Sequence, residues 1–332
     1  MTNVLPSDLK EAGGRRAGRL RRRSLFLPSA VVCPICGGTE HRRIVVRENR
    51  FGLGDEFTYA ICRHCRLVGL VTVPRSMGRY YEGYSYHARN APKSRPAAGV
   101  FDRVYRRLSA LLMRPLERYR PRDRYLRVLD VGCANGAYLA ELKKRRFRHL
   151  KGIEPSPRAV ENRVDRDLDI VCTSMADFQT DERFDLVTLN QVFEHFDEPR
   201  EMLLKLGALL APGGKLVMSF PNYNSLARLM LGSLWPGYDA PRHYFTFSPG
   251  NARMLCEQCG LELNRVRYIS RPSQFTGGFQ YAWNRFSSGK QRLEDGFFRT
   301  SRVLDLLLYA PAYLLNALRW GDMIELHIVL PD

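Results

Sequence analysis

Acidic residues are scarce in this sequence: 34 Asp and Glu face 52 Lys and Arg, for a formal net charge of +18 at pH 7. Such a balance admits nucleic acid, anionic lipid or phosphorylated small molecules as partners and does not choose among them. The cations are dispersed over six arginines between Arg15 and Arg23, over Arg103, Arg106, Arg107, Arg114, Arg118 and Arg120, and over Lys143 to Arg146. Solvated helix faces account for them equally well. No apolar run is long enough to span a bilayer. The longest candidate, residues 303–318, is broken by Asp305, Pro311 and Asn316, and a span needs about 20 residues. A buried or interfacial helix pair fits it better, with peripheral membrane contact as a secondary expectation. Internal repeats at solenoid periods are also missing. The pair Arg22-Arg23 resembles a twin-arginine export signal, but the apolar part after it is cut by Pro28 and runs into Cys33. A cytoplasmic protein is therefore expected.

What the sequence has is a strand running into a glycine turn. Leu126, Val128, Leu129 and Val131 carry the near-continuous hydrophobicity of a central parallel strand. Gly132 and Gly136 let the backbone turn and approach a ligand, and Leu139 and Leu142 begin an amphipathic helix. This is a cradle for a nucleoside cofactor, although not the G-x-G-x-x-G dinucleotide fingerprint, because Ala134 replaces the second glycine. A second strand over residues 151–154 ends in Glu154, an acid placed to accept both hydroxyls of a ribose. A third element, residues 184–190, is a strand that runs into Gln191-Val192-Phe193-Glu194-His195. Polar groups thus gather at its carboxyl end, where open α/β sheets bind ligands. A helix bearing Met202, Leu203, Leu206, Leu209 and Leu210 follows, stopped by Ala211-Pro212-Gly213-Gly214 before a strand at 215–220.

Taken together, D-V-G-C-A-N-G, the acid Glu154, F-D-L-V with E-H-F-D-E-P after it, and L-A-P-G-G-K-L resemble the class I S-adenosylmethionine (SAM) dependent methyltransferases over roughly residues 121–332. The resemblance implies an α/β, Rossmann-like sheet of seven strands whose last strand, here near residues 324–330, is antiparallel. It implies that Asp130, Gly132, Asn135 and Gly136 surround the methionine part of SAM and that Glu154 meets the ribose. Pro155 and Ser174-Met175-Ala176 would lie against the adenine, and Asn190 and Gln191 close to the sulfonium.

Cys33-Pro34-Ile35-Cys36 and Cys62-Arg63-His64-Cys65 form two knuckles whose spacing suits tetrahedral zinc. A pair of disulfides is the alternative, but a SAM enzyme works where thiols stay reduced. Four thiolates leave no open position, so this Zn2+ is expected to be structural. With Leu70, Val71, Pro74, Tyr80, Tyr81 and Tyr84, the knuckles resemble the amino-terminal module of bacterial methyltransferases acting on sugar nucleotides or cell-surface glycans. A glycine is usual after the second knuckle there, and Arg66 stands here. Cys256 and Cys259 repeat the spacing within a helical stretch and are read as packing. Cys133 and Cys172 are expected to be buried small hydrophobes.

The expected organisation is a disordered basic tail (1–30), a small N-terminal zinc ribbon (31–75), a helical connector (76–120, helical over 100–116) and the methyltransferase domain (121–332). Glu194, His195 and His243 are the candidate catalytic residues. His195 either takes a hydroxyl proton near neutral pH or orders the following turn. His243, beside Arg242 and Asp239, either holds a polar or anionic acceptor or orders its loop. The expected reaction is methyl transfer to a small polar acceptor, a free, nucleotide-linked or lipid-linked saccharide of cell-envelope polysaccharide biosynthesis. Two other functions stand beside it. An RNA methyltransferase would use ribbon and charge together, although Asn190-Gln191-Val192-Phe193 lacks the prolines of the N-P-P-Y motif that handles exocyclic base amines. A zinc-ribbon docking protein would be non-catalytic, which intact Gly132, Gly136 and Glu154 argue against.

Overall fold

The computed structural model describes residues 32–81, 121–286 and 296–331. The expected basic tail, the helix at 100–116 and Tyr84 lie outside the described residues. The amino-terminal segment folds as strands β1 (His41–Arg47), β2 (Glu56–Cys62) and β3 (Val68–Leu70). The body follows with β4 (Arg127–Val131), β5 (His149–Ile153), β6 (Asp169–Val171), β7 (Phe184–Asn190) and β8 (Leu210–Pro221). It closes with the short β9 (Phe245–Thr246), then β10 (Glu262–Tyr268) and β11 (Met323–Val329).

Seven strands make one sheet in the order β10-β11-β8-β7-β4-β5-β6. The pairs β4–β5, β5–β6, β4–β7 and β7–β8 are parallel, and β11 runs antiparallel to both its neighbours. This is the Rossmann-like methyltransferase architecture. Its chain order reverses between β4 and β7, and an α/β sheet opens its ligand crevice at such a switch point. The central strands are apolar because helices cover both faces: Val128, Leu129, Val187 and Leu216 are all fully buried. Helix α1 (Ala137–Lys144) leaves the first turn and buries Leu139 and Leu142.

Two expectations are corrected. Ala211 to Gly214 do not precede β8 but lie within it, as a bulge between the pairs Phe184–Leu210 and Leu186–Lys215. Gly213, at φ 72°, absorbs the extra chain, so the strand bends where its sequence reads as a stop. Cys172 is exposed; it follows directly on β6, which among the described residues is the edge strand of the sheet.

The amino-terminal strands form a four-stranded sheet, β1-β2-β3-β9, whose last strand comes from the body. Val68 pairs with Thr246 and Gly69 with Phe245. The hydrophobic core is continuous across the junction: Cys33, Ile35, Cys62 and Leu67 share one buried cluster with Leu206, Phe245, Leu255 and Cys256.

Candidate active site

The cofactor side is built locally. Gly132 and Gly136 both have left-handed φ, 68° and 76°, and neither tolerates a Cβ. One on Gly132 would lie 2.6 Å from Val192 Cγ2, and one on Gly136 2.7 Å from Ile170 Cδ1. Ala134 and Gln191, in the loops after β4 and β7, are also left-handed, at 51° and 58°. Non-glycine residues hold that conformation only where the surroundings enforce it, commonly at ligand sites. Glu154, 7% exposed, folds back over the turn: Ala134 N–H donates to Oε2 at 3.0 Å and Ser156 N–H to Oε1 at 2.9 Å. A carboxylate has about four acceptor positions, so two remain for a ligand's hydroxyls.

Asp130, 4% exposed, accepts Thr188 Oγ1–H at 2.7 Å. Burial pushes its carboxyl up to about 7, against the opposing hydrogen bond from Thr188, and the nearby charge of Glu154 adds to the rise. Asn135 is buried and Pro155 exposed. Met175 packs into the core, while the exposed Ala176 offers its carbonyl to Lys205 Nζ at 2.6 Å. At the end of β7, Asn190 Oδ1 accepts Ser219 Oγ–H at 2.8 Å, and Gln191 Nε2 lies 2.9 Å from Met323 Sδ.

The expected catalytic residues Glu194, His195 and His243 are brought together from distant segments. The single turn Phe193–His195 after β7 meets the loop around Asp239 and His243. His195 Nδ1 is 2.8 Å from Arg242 O, and His243 Nδ1 is 2.8 Å from Gly237 O. A carbonyl only accepts, so each Nδ1 carries the proton and each Nε2 keeps its lone pair. The rings meet edge to face at 4.8 Å. Burial lowers both imidazoles, His243 to about 3 with the charge of His195 adding to the fall, so both are neutral at physiological pH. Glu194 is 0% exposed, and burial pushes its carboxyl up to about 8.

A buried ion network that the sequence did not reveal fixes this loop. Arg242, 1% exposed, donates Nε–H to Asp239 Oδ2 at 3.0 Å and Nη2–H to Asp239 Oδ1 at 2.5 Å. It also reaches Glu48 Oε1 at 3.1 Å and Tyr80 O at 3.0 Å. Arg50 pairs with Asp239 from the other side at 3.1 Å. Burial alone would raise Asp239, but the two guanidinium groups outweigh it and hold the carboxyl far below the usual range. Tyr59 Oη–H donates to His243 O at 3.0 Å. Leu70 N–H donates to Tyr244 O, and Tyr244 N–H to Glu194 O. The amino-terminal sheet is thereby a wall of this site. In the sequence, Glu48-Asn49-Arg50 reads as ordinary hairpin loop, so no local signal marks it.

Away from these groups, Cys33, Cys36, Cys62 and Cys65 place their sulfurs within 4.8 Å of one another. Cys33 Sγ lies 3.4 Å from Cys65 Sγ, and Cys36 Sγ 3.5 Å from Cys62 Sγ. Bonded sulfurs would stand about 2.05 Å apart. Tetrahedral zinc with Zn–S near 2.3 Å spaces its sulfurs by about 3.8 Å, so the donor set fits that ion.

Comparison with known proteins follows this geometry. Residues 102–266 match the family described as "Methyltransferase domain". The chain carries a SAM-dependent methyltransferase domain. Among its relatives, the ubiquinone biosynthesis O-methyltransferase of Aeromonas salmonicida (strain A449) is 28% identical over 169 residues, 46% of this chain and 71% of that protein. The mitochondrial ubiquinone biosynthesis O-methyltransferase of Schizosaccharomyces pombe is 32% identical over 113 residues, 31% of this chain and 41% of that protein. A solved structure from Thermotoga maritima, described as a SAM-dependent methyltransferase and possible histamine N-methyltransferase, has a TM-score of 0.45 at 16% identity. It covers 77% of this chain and 100% of its own. The methyltransferase family match begins inside the segment expected to be the connector.

Proposed function

We propose that the chain methylates a hydroxyl of a small polar acceptor at the crevice between β7 and the loop around Asp239 and His243. The observation that carries this reading is the convergence of two imidazoles and a buried carboxyl group just beyond the end of β7. Bound SAM supplies an activated methyl group on its sulfonium. Asp130, Gly132, Asn135, Gly136 and Glu154 would hold it, with Pro155 and Ala176 available to the adenine, Met175 packed beneath in the core, and Asn190 and Gln191 available to the sulfonium. The buried acceptor side excludes water and aligns the hydroxyl, and Nε2 of His195, half-buried with its lone pair free, takes the hydroxyl proton. Glu194 and His243 flank that position. Cys33, Cys36, Cys62 and Cys65 hold one structural Zn2+, which keeps the wall formed by β1, β2 and β3 in place.

Two acceptor classes enter the proposal, a saccharide from the sequence resemblance alone and a small hydroxylated precursor from the names of the relatives. The ribbon and its tyrosines resemble modules of saccharide methyltransferases, whereas the relatives are named for O-methylation in ubiquinone biosynthesis. The wall role of the amino-terminal sheet disfavours a detached module for grasping RNA. Peripheral membrane contact, the further part of the proposal, would use the helix Arg302–Ala317, whose exposed Val303, Leu307 and Leu314 leave an apolar face. No helix among the described residues is long and apolar enough to cross a membrane. The test is transfer of labelled methyl from SAM, side by side, to sugar nucleotides with lipid-linked glycans, to hydroxylated ubiquinone precursors and to total RNA. Label in either small-molecule arm supports the reading. Label at one defined RNA position and in no small molecule overturns it.

A further inference from the structure

We infer that Glu194, His195 and His243 form a second metal site, one that takes a divalent cation of the zinc or manganese kind and keeps a position open toward the acceptor. One ligand atom from each of the three lies within 4.8 Å of the others. Nitrogen and carboxylate ligands at 2.0–2.2 Å from tetrahedral zinc stand about 3.3–3.6 Å apart, so a contraction of at most about 1.4 Å closes the triangle. His243 Nε2 and Glu194 Oε1, now 3.9 Å apart, are too distant for a hydrogen bond and suitably placed for two arms of one coordination sphere.

The independent observation is Glu194 itself. It is 0% exposed, and neither carboxylate oxygen has a hydrogen-bond partner among the described residues. Proteins rarely leave such a group bare, and an unexplained one points to an ion or water at the site. The neighbouring carboxylate, Asp239, is already satisfied by Arg242 and Arg50, so of the two acids only Glu194 is left with unpartnered oxygens. The imidazoles are prepared for the same task. Each gives its Nδ1–H to a backbone carbonyl, Arg242 O for His195 and Gly237 O for His243. That arrangement fixes the tautomer in which Nε2 ligates and orients the ring, as outer partners of metal-bound histidines do. Two histidines and one glutamate are also a ligand set that leaves zinc a fourth position. The cysteine cluster, with four thiolates, does not.

The inference rests on the proposed acceptor site and changes its proton path, because Nε2 of His195 on the ion no longer serves as base. A cation held by these residues would draw electron density from an acceptor hydroxyl at its open position and make the proton easier to lose. That proton passes to solvent, the oxygen lone pair forms the new C–O bond, and the electrons of the breaking C–S bond stay on sulfur.

The experiment uses the full chain, stripped with a mild chelator and titrated by calorimetry with Mn2+, an ion that thiolates do not favour. One Mn2+ per chain is expected, with affinity reduced at least tenfold in Glu194→Gln and in His243→Gln, while SAM binding to the same samples is retained. X-ray absorption of the zinc-loaded wild type should show nitrogen and oxygen neighbours beside sulfur, a readout that stands even when a variant misfolds. Sulfur-only zinc together with no Mn2+ binding overturns the inference, as does Mn2+ binding indifferent to both substitutions. Methyl transfer undiminished in stripped protein likewise removes the metal and leaves His195 as base. A second metal with no transfer to any small acceptor sinks the functional reading and leaves the metal site standing.

Discussion

The turn proposed to hold SAM and the cluster proposed to hold the acceptor are built in opposite ways. The cofactor side is a run of neighbours: β4, its turn and the end of β5 lie within residues 127–156, and Glu154 closes on Ala134 across 20 positions. The acceptor side is drawn from afar, with Glu48 meeting Arg242 across 194 positions and Arg50 meeting Asp239 across 189. A locally built site depends on a few backbone angles and survives disturbance elsewhere. A site closed by distant buried charges fails as a unit, because removing one ion leaves its partner unpaired.

The largest test of that contrast is Cys62→Ser. Structural zinc supplies on the order of 10–16 kcal/mol of apparent binding energy, so the substitution should cost the sulfur-ligated metal and melt the sheet β1-β2-β3-β9. Methyl transfer should disappear while SAM binding falls much less. Metal analysis with thermal denaturation checks this, and an unchanged melting temperature would refute the zinc assignment. Arg242→Met comes next. It leaves Asp239 and Glu48 buried without their shared cation, at an expected cost of about 3–5 kcal/mol in urea unfolding. A loss under about 1 kcal/mol would mean that the network is not what holds the acceptor side.

On the cofactor side, pH provides the third test. Burial raises Asp130 from an ordinary 3.8 to about 7, so the folded state binds its proton more tightly than the unfolded chain. Its contribution is full below about pH 4 and is lost as pH rises through about 7, amounting to at most about 4 kcal/mol. Asp322, also raised to about 7 by burial, adds a loss in the same direction. Asp130→Asn should flatten its share of the decline between pH 4 and 8, and an unaltered slope would assign the whole effect elsewhere. The smallest expected effect is Glu154→Ala. Losing charge-assisted hydrogen bonds worth about 1.5–3 kcal/mol should weaken SAM roughly 10- to 150-fold by calorimetry. Stability should change little by comparison with Arg242→Met.

This difference in construction decides what could be read from the chain. β7 was legible at both ends because an apolar run with polar residues after it is a local pattern, and the antiparallel β11 lies within a residue of its expectation. Cys172 was misread because burial at an edge depends on the number of neighbouring strands, which its own sequence does not state. Ala211 to Gly214 read as a stop because a bulge and a turn use the same residues. Glu194, His195 and His243 were singled out one by one, but their convergence depends on Tyr59, Glu48 and Arg50, whose partners lie far along the chain. The two residues of β9, which complete the amino-terminal sheet, carry too little pattern to announce a strand.

That short strand limits how the protein can be dissected. A fragment beginning near residue 121 would keep every residue proposed to touch SAM, yet the edge of β9 would face water where β3 belongs. Buried Trp235, Tyr238 and Ala240 would be uncovered with it, because they share a core with Phe57, Tyr59 and Leu70. An unprotected strand beside a newly exposed aromatic surface invites association between copies. Deletion mapping of this chain would therefore report insolubility in place of function, and the two halves can be exchanged with relatives only as a matched pair.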